Sequence, residues 1–157
     1  MKNDAVKNEP GVILLAEDNP GHAEIVRRNF SGSRTATRLM HVEDGRAALD
    51  YLYRRDGYSD PSLSPRPDII LLDLRMPKVD GLEVLRTIKS EPGLARIPVV
   101  VLTTSDSEKD VALAYEYHAN SYMVKPVDFP QFTAMMESLI NYWLVWNKNP
   151  ISTGAPS

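Results

Sequence analysis

Asp68-Ile69-Ile70-Leu71-Leu72-Asp73-Leu74-Arg75-Met76-Pro77-Lys78-Val79-Asp80-Gly81 carries the most informative pattern in the chain. Its apolar run, Ile69 to Leu72, is short, does not alternate, and stands between Pro67 and Met76-Pro77. That pattern marks a strand buried on both faces. Pro77 pushes Met76 into extended backbone and Gly81 supplies a turn, so the chain must leave the sheet just after Asp73. Asp73 is therefore expected at the carboxyl end of a central strand, where open α/β sheets build their sites. A buried carboxylate is costly unless a cation or hydrogen bonds meet it. By itself Asp73 suits turn capping equally well, so the rest of the chain must decide.

Working outward, Val12 to Ala16 is a first buried strand that ends on Glu17-Asp18. Asn19-Pro20-Gly21 breaks it, and Pro20 suits the start of a helix carrying Ala23, Val26 and Phe30 that stops near Ser31-Gly32. Thr37 to Val42 is a less apolar strand, nearer an edge, followed by a helix with Ala48, Leu49 and Leu52 inward. Residues 55–67 hold three prolines and no periodicity, which predicts a long surface loop.

Beyond Asp73, Leu82, Val84, Leu85 and Ile88 mark a helix that ends at Glu91-Pro92-Gly93. Val99 to Leu102 is the fourth strand and closes on Thr103-Thr104-Ser105. The next helix, about Ser107 to Tyr117, has only Val111, Ala114 and Tyr115 as an apolar stripe and should be weakly anchored. Ser121 to Val124 is a short fifth strand ending at Lys125-Pro126, a turn in which a cis bond would aim the ammonium inward. Asp128 caps a long helix with the stripe Phe132, Met136, Leu139, Ile140 and Trp143.

Five strands alternating with five helices predict a doubly wound α/β fold. Right-handed crossovers place all five strand ends of a parallel sheet along one rim, and the flavodoxin-like order 2-1-3-4-5 fits, with the sheet as the middle of three α/β/α layers. One domain is expected over 11–146, with a flexible N-terminus at 1–10 and a tail or arm at 147–157.

Composition narrows the chemistry. The chain has 157 residues, 43% hydrophobic and 25% charged, which suits one soluble domain with a real core. A net charge of −3 argues against nucleic acid as a partner. No cysteine is present, which excludes disulfides and zinc-thiolate sites. Neither a signal peptide nor a bilayer-spanning run is visible, so no membrane partner and a cytoplasmic location are expected. His22, His41 and His118 are too scattered for a metal set and read as surface or helix-packed residues.

The predicted topology delivers Glu17, Asp18, Asp73, Thr103 and Lys125 to one rim. Singly, Glu17-Asp18 could cap a helix, Thr103 could end a strand and Lys125 could be a solvated charge. Each, however, follows an otherwise apolar strand. Three carboxylates this close would resist ionising together. Mg²⁺, or Mn²⁺ in its place, resolves the conflict, with Asp18 and Asp73 as direct ligands, Glu17 through water and the Arg75 backbone carbonyl as a further ligand. Lys125 and Thr103 would then neutralise charge on a phosphoryl group transferred to Asp73.

Glu17-Asp18-Asn19-Pro20, Leu72-Asp73-Leu74-Arg75-Met76-Pro77 with Asp80-Gly81, Thr103-Thr104 and Lys125-Pro126 together resemble the receiver domain of two-component response regulators. The likeness covers about Gly11 to Tyr142. It implies that Asp73 accepts a phosphoryl group from a histidine kinase, that Thr103 is the switch hydroxyl, and that Tyr122 turns inward on activation. By the same likeness Arg75 and Ser105 tune access to the phosphoryl group, and the helix-four, strand-five, helix-five face responds.

The proline-rich loop and the run Asn141 to Pro150 further resemble single-domain regulators paired with phytochrome kinases, including bacteriophytochromes, and such regulators form dimers. Leu139 to Trp146 is apolar nearly all round, more than one sheet face can bury, so Tyr142, Trp143 and Trp146 are dimer candidates. They could instead fold back on their own domain.

Two rival functions carry different sequence demands. An Asp-nucleophile, Mg²⁺-dependent phosphohydrolase usually has a second Asp two residues on, where this chain has Arg75, and it needs a substrate-binding cap. A transcription regulator needs a DNA-binding domain, and only eleven residues follow Trp146. Output by protein contact, or by relaying the phosphoryl group onward, is expected instead.

Overall fold

The computed structural model describes residues 11–32 and 37–146, with side chains as far as Trp143. The terminus at 1–10, the tail at 147–157 and the Trp146 side chain lie outside the described residues.

Strands β1 (Gly11–Ala16), β2 (Thr37–Val42), β3 (Ile69–Leu72), β4 (Val99–Thr103) and β5 (Ser121–Val124) form one sheet. All pairings are parallel and the order is β2-β1-β3-β4-β5, as expected. The helices between them are α1 (Pro20–Ser31), α2 (Gly45–Tyr53), α3 (Gly81–Ser90), α4 (Glu108–Glu116) and α5 (Phe129–Ile140). A π-helical turn, Asn141–Trp146, continues α5.

Side chains alternate across the strands and so build two cores. Leu14, Ala16, Ile70 and Leu72 face α2, α3 and α4, where Leu52, Leu85 and Ala114 meet them. Ile13, Leu15, Ile69 and Leu71 face α1 and α5, where Val26, Phe30, Phe132 and Met136 close the other layer. Burying one such aliphatic side chain contributes roughly 1.5–3 kcal/mol, so the central strands are the most firmly held part of the molecule.

The helix starts are chemically specified. Asn19, Asp44, Ser107 and Asp128 accept hydrogen bonds from the backbone N–H groups of His22, Ala47, Asp110 and Gln131. Each cap satisfies an otherwise orphaned donor and contributes about 1 kcal/mol.

The structure departs from the expectations in three places. The proline-rich segment is tied down rather than simply surface: Tyr51 donates its hydroxyl to Pro65 O at 2.6 Å, Arg66 reaches Leu52 O at 2.7 Å, and Ser64 is buried. A buried phenol needs an acceptor, and the aperiodic loop supplies one. In α4, Tyr115 is exposed and Asp110 is buried beside Ala114. The stripe is therefore even less apolar than expected, because Asp110 faces partners described below. Finally, none of the described peptide bonds is cis, so Lys125-Pro126 is trans.

Candidate functional site

Register aligns the strand ends. Ala16 pairs with Leu72 and Thr103 pairs with Val124, so Glu17, Asp73 and Lys125 each leave the sheet at the same rim. The Asp73 N–H is held by Ala16 O at 3.1 Å, and the Lys125 N–H by Thr103 O at 2.7 Å.

The loop after Asp73 turns back tightly, and two glycines permit it. A Cβ on Gly81 would lie 2.3 Å from Asp73 O, and one on Gly45 would lie 1.9 Å from Val79 O. Gly81 therefore lets α3 start against the backbone of Asp73 itself. Gly45 lets α2 start against the far side of the same loop.

Three acidic side chains converge at this rim. Carboxylate oxygens of Glu17, Asp18 and Asp73 lie within 4.8 Å of one another. Glu17 and Asp73 are buried and Asp18 is exposed. Asp73 Oδ1 accepts from the Arg75 N–H at 3.2 Å, and Glu17 Oε2 accepts from the Asn19 N–H at 3.1 Å. Burial pushes the Glu17 carboxyl up to about 7, with the Lys125 charge opposing that rise.

Lys125 is buried, and its ammonium has three partners that match its three donors. Nζ donates to Glu17 Oε1 at 2.5 Å, to Asp73 Oδ2 at 3.2 Å and to His22 Nδ1 at 3.0 Å. Burial and the neighbouring ammonium both lower the His22 pKa, which favours the neutral ring that can accept. The ring lies tilted at 52° to Phe132, with centroids 5.8 Å apart.

A second group of side chains lies beside the acids. The Arg75 side chain turns to the first turn of α4, where Nη2 meets Asp110 Oδ2 at 2.5 Å. Ser105 Oγ donates to the same oxygen at 2.6 Å. Tyr122, half-buried, donates its hydroxyl to Ser105 O at 2.8 Å. Thr103 is fully buried, and its Oγ1 accepts from the Ser105 N–H at 3.4 Å.

The rim expected from the sequence has two further members. His22 is not merely packed on a helix, since it touches Lys125. Asp110 joins Arg75 to α4. Neither carried a sequence signal, because each acts through a partner at least 35 positions away. Of the dimer candidates, Trp143 packs against the α1/α5 core and Tyr142 is 54% exposed. Their rings meet edge to face at 5.3 Å.

The oxygen donors suit a hard divalent cation, and the buried Lys125 suits an anion placed on Asp73. Residues 13–137 match the family described as the response regulator receiver domain.

The chain belongs to that family.

The receiver is 47% identical over 142 residues to the probable methanogenesis regulatory protein FilR2 of Methanothrix harundinacea, spanning 90% of this chain and 89% of that one. It is 43% identical over 137 residues to response regulator Rcp1 of Synechocystis, spanning 87% and 91% of the two chains. The Mn²⁺-bound form of Rcp1 matches the receiver with a TM-score of 0.85 and 42% identity over 90% of this chain and 99% of that one. The phosphorylated cyanobacterial phytochrome response regulator RcpA matches with a TM-score of 0.86 and 37% identity over the same shares, 90% and 99%. The receiver is thus homologous to phytochrome response regulators, and the phosphohydrolase reading is not favoured. Among the described residues no helix is long and apolar enough to cross a membrane.

Proposed function

We propose that this receiver is the phosphoryl-accepting switch of a two-component relay in the cytoplasm, with Asp73 as acceptor. An Asp73 carboxylate oxygen forms the new O–P bond as the P–N bond of a kinase phosphohistidine breaks, and the imidazole leaves with the electron pair. The observation that carries the reading is the 3.2 Å contact between the buried Lys125 ammonium and Asp73 Oδ2. It sets a fixed positive charge where phosphoryl oxygens would gather.

Asp18 and Asp73 would hold Mg²⁺ or Mn²⁺ directly, Glu17 through water, with the Arg75 carbonyl as a further ligand. The ion supplies charge neutralisation for the transferred group. The Mn²⁺-bound form of Rcp1 supports this choice of metal. Thr103 is the switch hydroxyl and Tyr122 the aromatic that reports on it. The donor is a histidine kinase, and the likeness to Rcp1 and RcpA favours a phytochrome among such kinases. Output is by protein contact or onward phosphotransfer, from a homodimer to which exposed Tyr142 contributes.

The test is labelling by acetyl phosphate with Mg²⁺, read by intact-protein mass. Wild type gains one phosphoryl group and Asp73→Asn gains none. Equal labelling of both would end the proposal. Transfer rates from candidate kinases, a phytochrome among them, then identify the donor.

A further inference from the structure

Arg75 is tied to this site at both ends. Its backbone N–H donates to Asp73 Oδ1 at 3.2 Å, while its guanidinium is drawn away onto Asp110 at 2.5 Å. Asp110 is 7% exposed and sits in the first turn of α4, whose N-cap is Ser107. Its Oδ2 also accepts from the Ser105 hydroxyl, while the Ser105 carbonyl accepts from the Tyr122 hydroxyl and the Ser105 N–H donates to Thr103 Oγ1. One buried carboxylate oxygen thus joins the acceptor loop, the loop after β4 and the start of α4.

Apart from this oxygen, α4 has a weak hold. Ala114 is its only fully buried apolar side chain. A guanidinium is always charged and recognises carboxylate and phosphate with the same planar fork. A phosphoryl group on Asp73 would bring up to about two negative charges next to a residue whose backbone already touches that carboxylate. The phosphoryl oxygens and Asp110 would then compete for one cation.

We infer that Asp110 is a positioning residue for Arg75: it parks the guanidinium on α4 while Asp73 is free, and releases it to the phosphoryl group once Asp73 is modified. This rests on Asp73 being the acceptor. On the phosphoryl group, Arg75 covers the approach of water. Hydrolysis, in which a water oxygen bonds phosphorus as the Asp73 O–P bond breaks, one water proton leaving on the phosphate and the other passing to solvent, is slowed. The same exchange removes the polar tie on α4. Asp110 therefore sets both the lifetime of the phosphoryl group and the freedom of the helix.

The experiment measures the rate of loss of the aspartyl phosphate in wild type, Asp110→Asn, Arg75→Ala and the double variant, all labelled with acetyl phosphate and Mg²⁺. Asp110→Asn frees Arg75 and should lengthen the lifetime by roughly threefold or more, as coupling between touching charged residues implies. Arg75→Ala should shorten it. The double variant should match Arg75→Ala, since Asp110 acts only through the guanidinium. Asp110→Glu keeps the charge and should restore the wild-type lifetime. An Asp110→Asn effect of equal size without Arg75, or a shortened lifetime in Asp110→Asn, would overturn the inference.

Hydrogen exchange at residues 108–116 gives a second readout that needs no Asp110 variant. It should rise in unphosphorylated Arg75→Ala, and should rise on phosphorylation in wild type. No rise in the variant would equally overturn the tie. A wild type that takes up no phosphoryl group would overturn the parent reading and this one together. Normal labelling with additive variants would overturn this one alone.

Discussion

The Lys125 ammonium lies 3.2 Å from Asp73 Oδ2, across 52 positions of sequence, and both groups are buried. Neither residue could be placed there cheaply alone, since an unpaired buried charge costs several kcal/mol. Each makes the other tolerable, and the pair leaves a fixed positive charge beside a nucleophilic oxygen.

Replacing Lys125 with Met should slow labelling of Asp73 by acetyl phosphate by about 10²-fold, the usual effect of removing one preorganised charge donor. The same change strands buried Glu17, so the melting temperature measured in chelator should fall. Labelling at the wild-type rate would show that the ammonium is not used.

Glu17 gives a pH prediction with a definite sign. Its carboxyl is pushed up to about 7 from an ordinary 4.5, chiefly by burial. Between those values the folded protein holds a proton that the unfolded chain has lost. The stability from this group is therefore full at low pH and is lost as pH rises towards 7. In chelator, the melting temperature of wild type relative to Glu17→Gln should fall across that window. Because a cation needs the ionised carboxylate, Mn²⁺ affinity measured by titration should rise over the same range. A flat difference between the two proteins would contradict the assignment.

Gly81→Ala places a Cβ that would lie 2.3 Å from Asp73 O, so either α3 or the acceptor backbone must shift. A stability loss on the order of 1–3 kcal/mol by denaturant titration is expected, as for other overpacked sites. Labelling of the folded fraction should also slow, since the loop carrying Asp73 is what moves. Normal stability and labelling would mean the contact relaxes freely.

Deleting residues 144–157 should weaken self-association while leaving Trp143 on its own core. Light scattering across a concentration series measures this, and an unchanged mass would remove the arm from the dimer. Tyr142→Ala in the full chain should act in the same direction, since that ring is exposed at the end of α5.

The scaffold and the rim were legible in the order of residues alone. Strand and helix periodicities are local, and right-handed crossovers carry all five strand ends to one rim. Asp73, Thr103 and Lys125 could therefore be assigned to one edge from the runs that precede them. The side-chain partners became visible only in the packed fold. Lys125 meets Glu17 and His22 over separations of 108 and 103 positions, and Arg75 turns to Asp110 rather than to Asp73. Trp143 folds onto its own core. No spacing rule reaches these, because a long side chain chooses its partner by rotamer and burial, which exist only once the layers are packed.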